Sequence, residues 1–280
     1  MGNLSIKFNK EKIDKIKETF KEYITNSPSE YIETFIQKEG LTISIYKNGK
    51  VLFQGDDALF YGESFIDNKF VRQAGSDEVG TGDFFGPVVV VAAIVEEKDE
   101  SLIKELKVVD SKELDDNKIL NIGPKLIESI KHSALILDNV KYNNAHQKYN
   151  LNEIKAMLHN KAYLNLINKG YTLPPLCYID DFCGEAKYFE YLSNEKEVYR
   201  NLIFETKAEN KYEAVAVASC IARFIFLNEI NKMEQKYEMK FTKGASDIVI
   251  EDAKRFISKY GKDRLNEVCK LHFKNYKEIN

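Results

Sequence analysis

Residues Val71 to Val95 read VRQAGSDEVGTGDFFGPVVVVAAIV, and this stretch decides the fold. It predicts strand, tight turn, strand. The second strand, Pro87 to Val95, is apolar throughout, as expected where both faces of a strand are covered by helices. Gly80, Gly82 and Gly86 supply the positive φ angles of a sharp reversal, and their bare backbone lets a ligand approach. Just before the turn stand two adjacent acids, Asp77 and Glu78. At the lip of a core a carboxylate is costly unless a cation or hydrogen bonds compensate it.

Outward from this stretch the chain alternates strands and helices. A helix is expected over 118–131, a short strand at Leu135 to Leu137, and a helix from Leu151 to Asn168. A buried strand follows, Leu176 to Asp180, and a short one, Leu202 to Glu205. A long helix is expected from Ala208 to Ile230, built on Ala214, Ala216, Ala218, Ser219 and Ala222 and therefore able to pack closely on a sheet. Another runs from Ser246 to Tyr260, stopped by Gly261, and a last one reaches about Tyr276. This order predicts an α/β domain with a mixed sheet over residues 67–280.

Residues 1–66 form a separate small α+β unit. Ile13, Ile16, Phe20 and Ile24 make one face of a helix over residues 10–24, with Lys12, Lys15, Lys17 and Lys21 around the rest. Leu41, Ile43 and Ile45 alternate with polar residues, and Asn48-Gly49 predicts a hairpin into Val51-Leu52-Phe53. Residues 55–68 read as a linker, with Phe60, Tyr61 and Phe65 docking part of it.

Composition narrows the class. With 44% hydrophobic and 30% charged residues and a net charge of −3 over 280 residues, the chain is neither a histone-like polycation nor a disordered polyelectrolyte. Its four cysteines, Cys177, Cys183, Cys220 and Cys269, form no Cys-x-x-Cys pair, so neither a disulfide framework nor a zinc site is indicated. No segment reads as a signal peptide or a membrane span. The expected location is the cytoplasm.

Three acidic sites share one context: Asp77-Glu78, Asp180 and Glu209 each end or flank an expected buried strand. Carboxylates at neighbouring strand ends converge, and open α/β sheets place ligands there. Two like charges ~5 Å apart repel by roughly 3 kcal/mol at an effective dielectric near 20, so such a cluster holds protons or cations. Hard divalent ions suit an all-oxygen set, and two of them catalyse in-line phosphoryl displacement. Metal-dependent nuclease and phosphatase chemistry both fit. Gly80-Thr81-Gly82 is neither a dinucleotide fingerprint, since Phe85 stands where the third glycine belongs, nor a P-loop; it suits a backbone amide nest for phosphate or ribose. Asp110-Ser111-Lys112 offers a hydroxyl and a cation for a phosphate. His146, His159 and His272 are conceivable proton shuttles, but His159 beside Met157 and Leu158, and His272 beside Phe273, read as structural.

Asp77 through Val88 (DEVGTGDFFGPV) resembles the signature of bacterial ribonuclease HIII, with Gly-Thr-Gly where ribonuclease HII has Gly-Arg-Gly. The resemblance continues through 110–114 (DSKEL), 154–160 (IKAMLHN), 179–182 (IDDF), 206–209 (TKAE), 218–223 (ASCIAR) and 270–275 (KLHFKN), in order across the larger domain. It implies a ribonuclease H fold and hydrolysis of the RNA strand of an RNA–DNA hybrid, giving 5′-phosphate and 3′-hydroxyl ends. It further implies two Mg²⁺ ions, with Mn²⁺ as a substitute, held by the catalytic carboxylates Asp77, Glu78, Asp180 and Glu209. Glu213, one helical turn on, is the alternative fourth ligand. Gly80, Thr81 and Gly82 are then candidates to read the 2′-hydroxyl, and Ser111 and Lys112 to hold phosphate. Asp181 departs from the family's glutamine and adds negative charge beside the site. By layout, the small unit resembles that family's substrate-binding domain, which is similar to the TATA-binding protein. A monomer is expected.

Overall fold

The computed structural model describes residues 2–66, 70–108 and 114–279, in two compact units, Met1–Val71 and Arg72–Asn280. Ser111 and Lys112 lie outside the described residues.

The first unit is a five-stranded antiparallel sheet in the order β1-β5-β4-β3-β2, built from β1 (Gly2–Lys7), β2 (Ile24–Thr25), β3 (Ile32–Lys38), β4 (Leu41–Tyr46) and β5 (Lys50–Gly55). The Asn48-Gly49 reversal joins β4 to β5, with Gly49 at φ +82°. Alternation buries Leu41, Ile43, Ile45, Val51 and Phe53 on one side, under α1 (Lys10–Thr19) and α2 (Ala58–Ser64). The helix expected to reach residue 24 stops at Thr19. Phe20 leaves helical geometry (φ −115°, ψ 22°) and stacks edge-on against Tyr61, centroids 5.2 Å apart, while Ile24 is 45% exposed because it now belongs to β2. The expected linker is largely α2, whose Gly62 leaves no room for a Cβ against Leu4 and Phe53. Strands β1, β2 and β3 were not expected; β1 alternates Leu4 and Ile6 with Asn3, Ser5 and Lys7 but is only six residues long, and β2 and β3 carry no clean alternation.

The second unit is a mixed sheet in the order β10-β9-β6-β7-β8: β6 (Gln73–Val79), β7 (Val88–Val95), β8 (Lys131–Leu137), β9 (Cys177–Asp180) and β10 (Ile203–Glu205). Every residue of β7 is buried. Val88, Val90, Ala92 and Ile94 join the core with Ile154, Tyr163 and Leu166 of one helix, α6 (Leu151–Asn168). On the other side Gly75 of β6 lies so close to a second helix, α8 (Glu213–Tyr237), that a Cβ would sit 2.5 Å from the Val215 nitrogen. The small residues of that helix therefore meet a bare backbone, and β6 is clamped between two layers. The helices are α3 (Glu100–Leu106), α4 (Asp116–Ser129), α5 (Asn139–His146), α6 (Leu151–Asn168), α7 (Glu185–Tyr191), α8 (Glu213–Tyr237), α9 (Ile248–Tyr260) and α10 (Lys274–Glu278).

Two expected helices differ. The one placed over 208–230 is a 3-10 turn, Ala208–Asn210, entered from a left-handed Lys207 (φ 54°) and followed by α8, because Tyr212 is extended (φ −129°, ψ 121°). The last one is a 3-10 segment, Lys262–Glu267, and the short α10, so His272 lies outside a helix. Between them Cys269 bridges to Phe85. The four cysteines are free thiols. Among the described residues no helix is long and apolar enough to cross a membrane.

Candidate active site

Strands β6, β9 and β10 run parallel, so their C-terminal ends share one edge of the sheet. The register pairs Ser76 with Ile179, and continuing it by one residue sets Asp77 level with Asp180. Glu205 lies opposite Asp180 on β10; the left-handed turn at Lys207 then returns the chain, and the Ala208 N–H donates to Asp180 Oδ1 at 2.9 Å. Asp77, Glu78, Asp180 and Glu209 thereby line one cleft of about 300 Å³, together with Ser219 and Arg223 of α8. Glu213 is not on that lining. It is half-buried beside Glu100 and Lys104, and burial followed by the Glu100 charge pushes its carboxyl up.

The acids are compensated unequally. Because strand side chains alternate, Asp77 faces α8 and Glu78 faces α6. Asp77 accepts from the Ser219 side chain and from the Glu78 N–H (2.8 Å), yet burial and the charges of Glu78 and Asp180 push it up to about 7. Burial works to raise Glu78 too, but His159 and Lys155 outweigh it and hold this carboxyl below the usual range. The Lys155 ammonium pairs with Glu78 Oε1, and His159 Nε2 donates to Oε2 at 2.9 Å. Asp180 is raised by burial and by the Glu209 charge. Near neutral pH the cleft thus compensates its acids with a lysine at one and a proton at another. An all-oxygen set so short of positive charge fits a hard divalent cation. As placed, no three His, Cys, Asp or Glu side chains among the described residues stand ready to hold one ion; Glu78 is committed to Lys155 and His159.

The glycine loop is braced from downstream. Gly80 and Gly86 have positive φ (94° and 86°), and a Cβ on Gly80 would meet the Pro87 carbonyl at 2.2 Å. Gly82 does not have positive φ, contrary to expectation; the space beside it is open, so its smallness serves access. The Gly244 N–H donates to Asp83 Oδ1 (2.6 Å), the Gly86 N–H to the Val268 carbonyl (3.0 Å), and the Lys270 N–H to the Phe84 carbonyl (2.9 Å). Lys270 is fully buried and its ammonium donates to the Asp83 and Gly86 carbonyls at 2.8 and 2.6 Å. Burial pulls its pKa down to about 7.

His159 is the residue that sequence reasoning undervalued. It is fully buried, as a structural histidine should be, but its ring bridges Glu78 to Ser76, whose Oγ lies 2.8 Å from Nδ1. The available signal was its spacing of four from Lys155, which puts both on one helix face. His146 and His272 instead stack on each other, 4.2 Å apart, beside Tyr142. Asp181 spends its added charge on a local turn, accepting from the Cys183 and Gly184 N–H groups at 3.1 and 2.6 Å.

Comparison with known proteins places this geometry. The family model for Ribonuclease HII matches residues 74–276, and one described as Domain of unknown function (DUF3378) matches residues 3–73. Ribonuclease HIII of Bacillus cereus (strain 03BB102) is 42% identical over 260 residues, 84% of either chain. Ribonuclease HIII of Lactococcus lactis subsp. cremoris (strain SK11) is 37% identical over 281 residues, 98% of this chain and 96% of its own. The crystal structure of Bst-RNase HIII in complex with Mn2+ superposes with a TM-score of 0.72 at 32% identity, covering 99% of this chain and 98% of that one. The larger unit has the ribonuclease H-like α/β fold, and the chain belongs to the ribonuclease HII family, among its ribonuclease HIII members.

Proposed function

We propose that the chain is an endoribonuclease that hydrolyses the RNA strand of RNA–DNA hybrids and leaves 5′-phosphate and 3′-hydroxyl ends. The observation that carries this reading is the convergence of Asp77, Glu78, Asp180 and Glu209 on one cleft in a chain of the ribonuclease HII family. These four would hold two divalent ions, Mg²⁺ or in its place Mn²⁺. Bound there, the ions supply an activated water and charge for the departing 3′ oxygen.

The chain's own residues do the rest. The acids fix the cations at the edge of the sheet, on strands too well buried to shift. Lys270 and Gly244 hold the 80–87 loop open beside them, so that the backbone of Gly80, Thr81 and Gly82 reaches the 2′-hydroxyl that separates RNA from DNA. Ser111 and Lys112 hold substrate phosphate. Residues 1–66 form a substrate-binding unit on which α1 presents Lys12 and Lys15, with Lys21 in the 3-10 turn that follows it; its sheet with two helices supports the likeness to the TATA-binding protein. The protein acts as a cytoplasmic monomer. No side-chain nucleophile is needed.

The test is cleavage of an end-labelled RNA–DNA hybrid in Mg²⁺ with and without EDTA, beside a duplex carrying a single ribonucleotide. Metal-dependent cutting within the uniform hybrid is expected. Binding without cutting would favour a hybrid sensor, and no binding at all a small-molecule phosphatase.

A further inference from the structure

The two oxygens of Glu78 are taken by partners of different kinds, and both partners come from α6. His159 is fixed. Its side chain has no exposure, both ring nitrogens are engaged, by Glu78 and Ser76, and its ring packs against Phe182 at 5.6 Å. Lys155 is tethered only by a flexible stem. Its ammonium pairs with Glu78 Oε1, lies within reach of the Asp180 charge, and sits 3.8 Å from the Phe182 ring centroid. A cation resting on the aromatic face keeps part of its stabilisation when it leaves a carboxylate.

We propose that Lys155 is a resident cation that a divalent ion must displace from Glu78, and that His159 is the positioning residue that keeps the Glu78 carboxylate at the cleft when Lys155 leaves. The inference rests on the reading of Glu78 as a metal-holding acid. Lys155 then sets the metal concentration at which the site loads: a site blocked about nine-tenths of the time binds its ligand about tenfold more weakly. It also protects the metal-free geometry, since an uncompensated Glu78 would swell the repulsion among four neighbouring acids.

The experiment is titration of the full chain with Mn²⁺ in the absence of nucleic acid, following the electron paramagnetic resonance signal of free Mn²⁺, with thermal unfolding as a control for folding. Lys155→Met is expected to lower the Mn²⁺ dissociation constant about tenfold, while Lys155→Arg, which keeps the charge, leaves it within about threefold of wild type. A merely structural Lys155 would make both variants bind alike or more weakly than wild type, and that result overturns the competition. His159→Leu is expected to raise the dissociation constant at least about tenfold, and His159→Gln, which retains an N–H donor, to recover most of it; equal binding by the two overturns the positioning role. In hybrid cleavage, Lys155→Met should lower the metal concentration for half-maximal rate. If wild type binds Mn²⁺ but cuts no hybrid, the catalytic reading fails while the Mn²⁺ titrations still decide the displacement.

Discussion

On one face of β6, Asp77 looks into α8, which offers it a hydrogen bond from the Ser219 side chain and no charged partner, Arg223 lining the cleft further along. On the other, Glu78 looks into α6, which presents Lys155 and His159 one turn apart. Adjacent residues of the same chemistry therefore end with opposite shifts, Asp77 raised and Glu78 lowered. Burial is common to both; the difference lies in which helix covers the face. A carboxylate's behaviour at a strand end is thus written mostly in the opposing helix, not in the strand motif that identifies it.

Removing one acid at a time breaks the comparison most sharply. Asp77→Asn should cost about three orders of magnitude or more in hybrid hydrolysis, measured as initial rate in saturating Mg²⁺. It should leave thermal stability unchanged or raised, because it relieves repulsion and strands no cation. Glu78→Gln should lose comparable activity but also destabilise by about 3 kcal/mol, since it leaves the buried Lys155 ammonium without its counter-charge; urea titration of the two variants side by side reads the contrast. Equal stability of the two would mean that Lys155 has another partner as good.

Gly75→Ala tests the α8 face. The added methyl meets the Val215 backbone, and the overpacking should cost about 1–3 kcal/mol with a fall in rate as α8 shifts from Asp77. A pH-dependent effect belongs to Lys270. Its folded pKa near 7 lies below the ordinary lysine value of 10.5, so between these limits the unfolded chain binds the extra proton. Stability contributed by this group should accordingly rise with pH from about 7 to about 10, and Lys270→Met should flatten that rise in urea midpoints measured across the range.

Much of this was legible in residue order. The unbroken apolar run of β7 and the helix over Leu151–Asn168 follow from long patterns, and the acid pair before a glycine turn stands out as a local motif. The short helices α3, α5 and α7 were not legible; seven or eight residues span two turns, too few for a stripe to stand out. The turn at Lys207 was hidden because a left-handed lysine has no sequence signal, and yet it sets where Glu209 meets the cleft. The Glu78 clamp was half visible, in the spacing of Lys155 and His159, but which strand that helix face would cover is a tertiary fact. The bracing of the glycine loop by Gly244, Val268 and Lys270 joins positions far apart in the chain, and no local pattern foretells it.

That bracing has a consequence in time. The loop's partner Gly244 lies 161 residues beyond Asp83, and Lys270 lies 184 beyond Gly86. Ribosomes deliver roughly 5–20 residues per second, so a nascent chain carries its acid pair for about 10–30 s before the loop beside it can close. During synthesis the loop beside the acid pair waits unfastened for its C-terminal partners. A chain halted at residue 243 should show that loop cut readily by protease, where the finished protein resists.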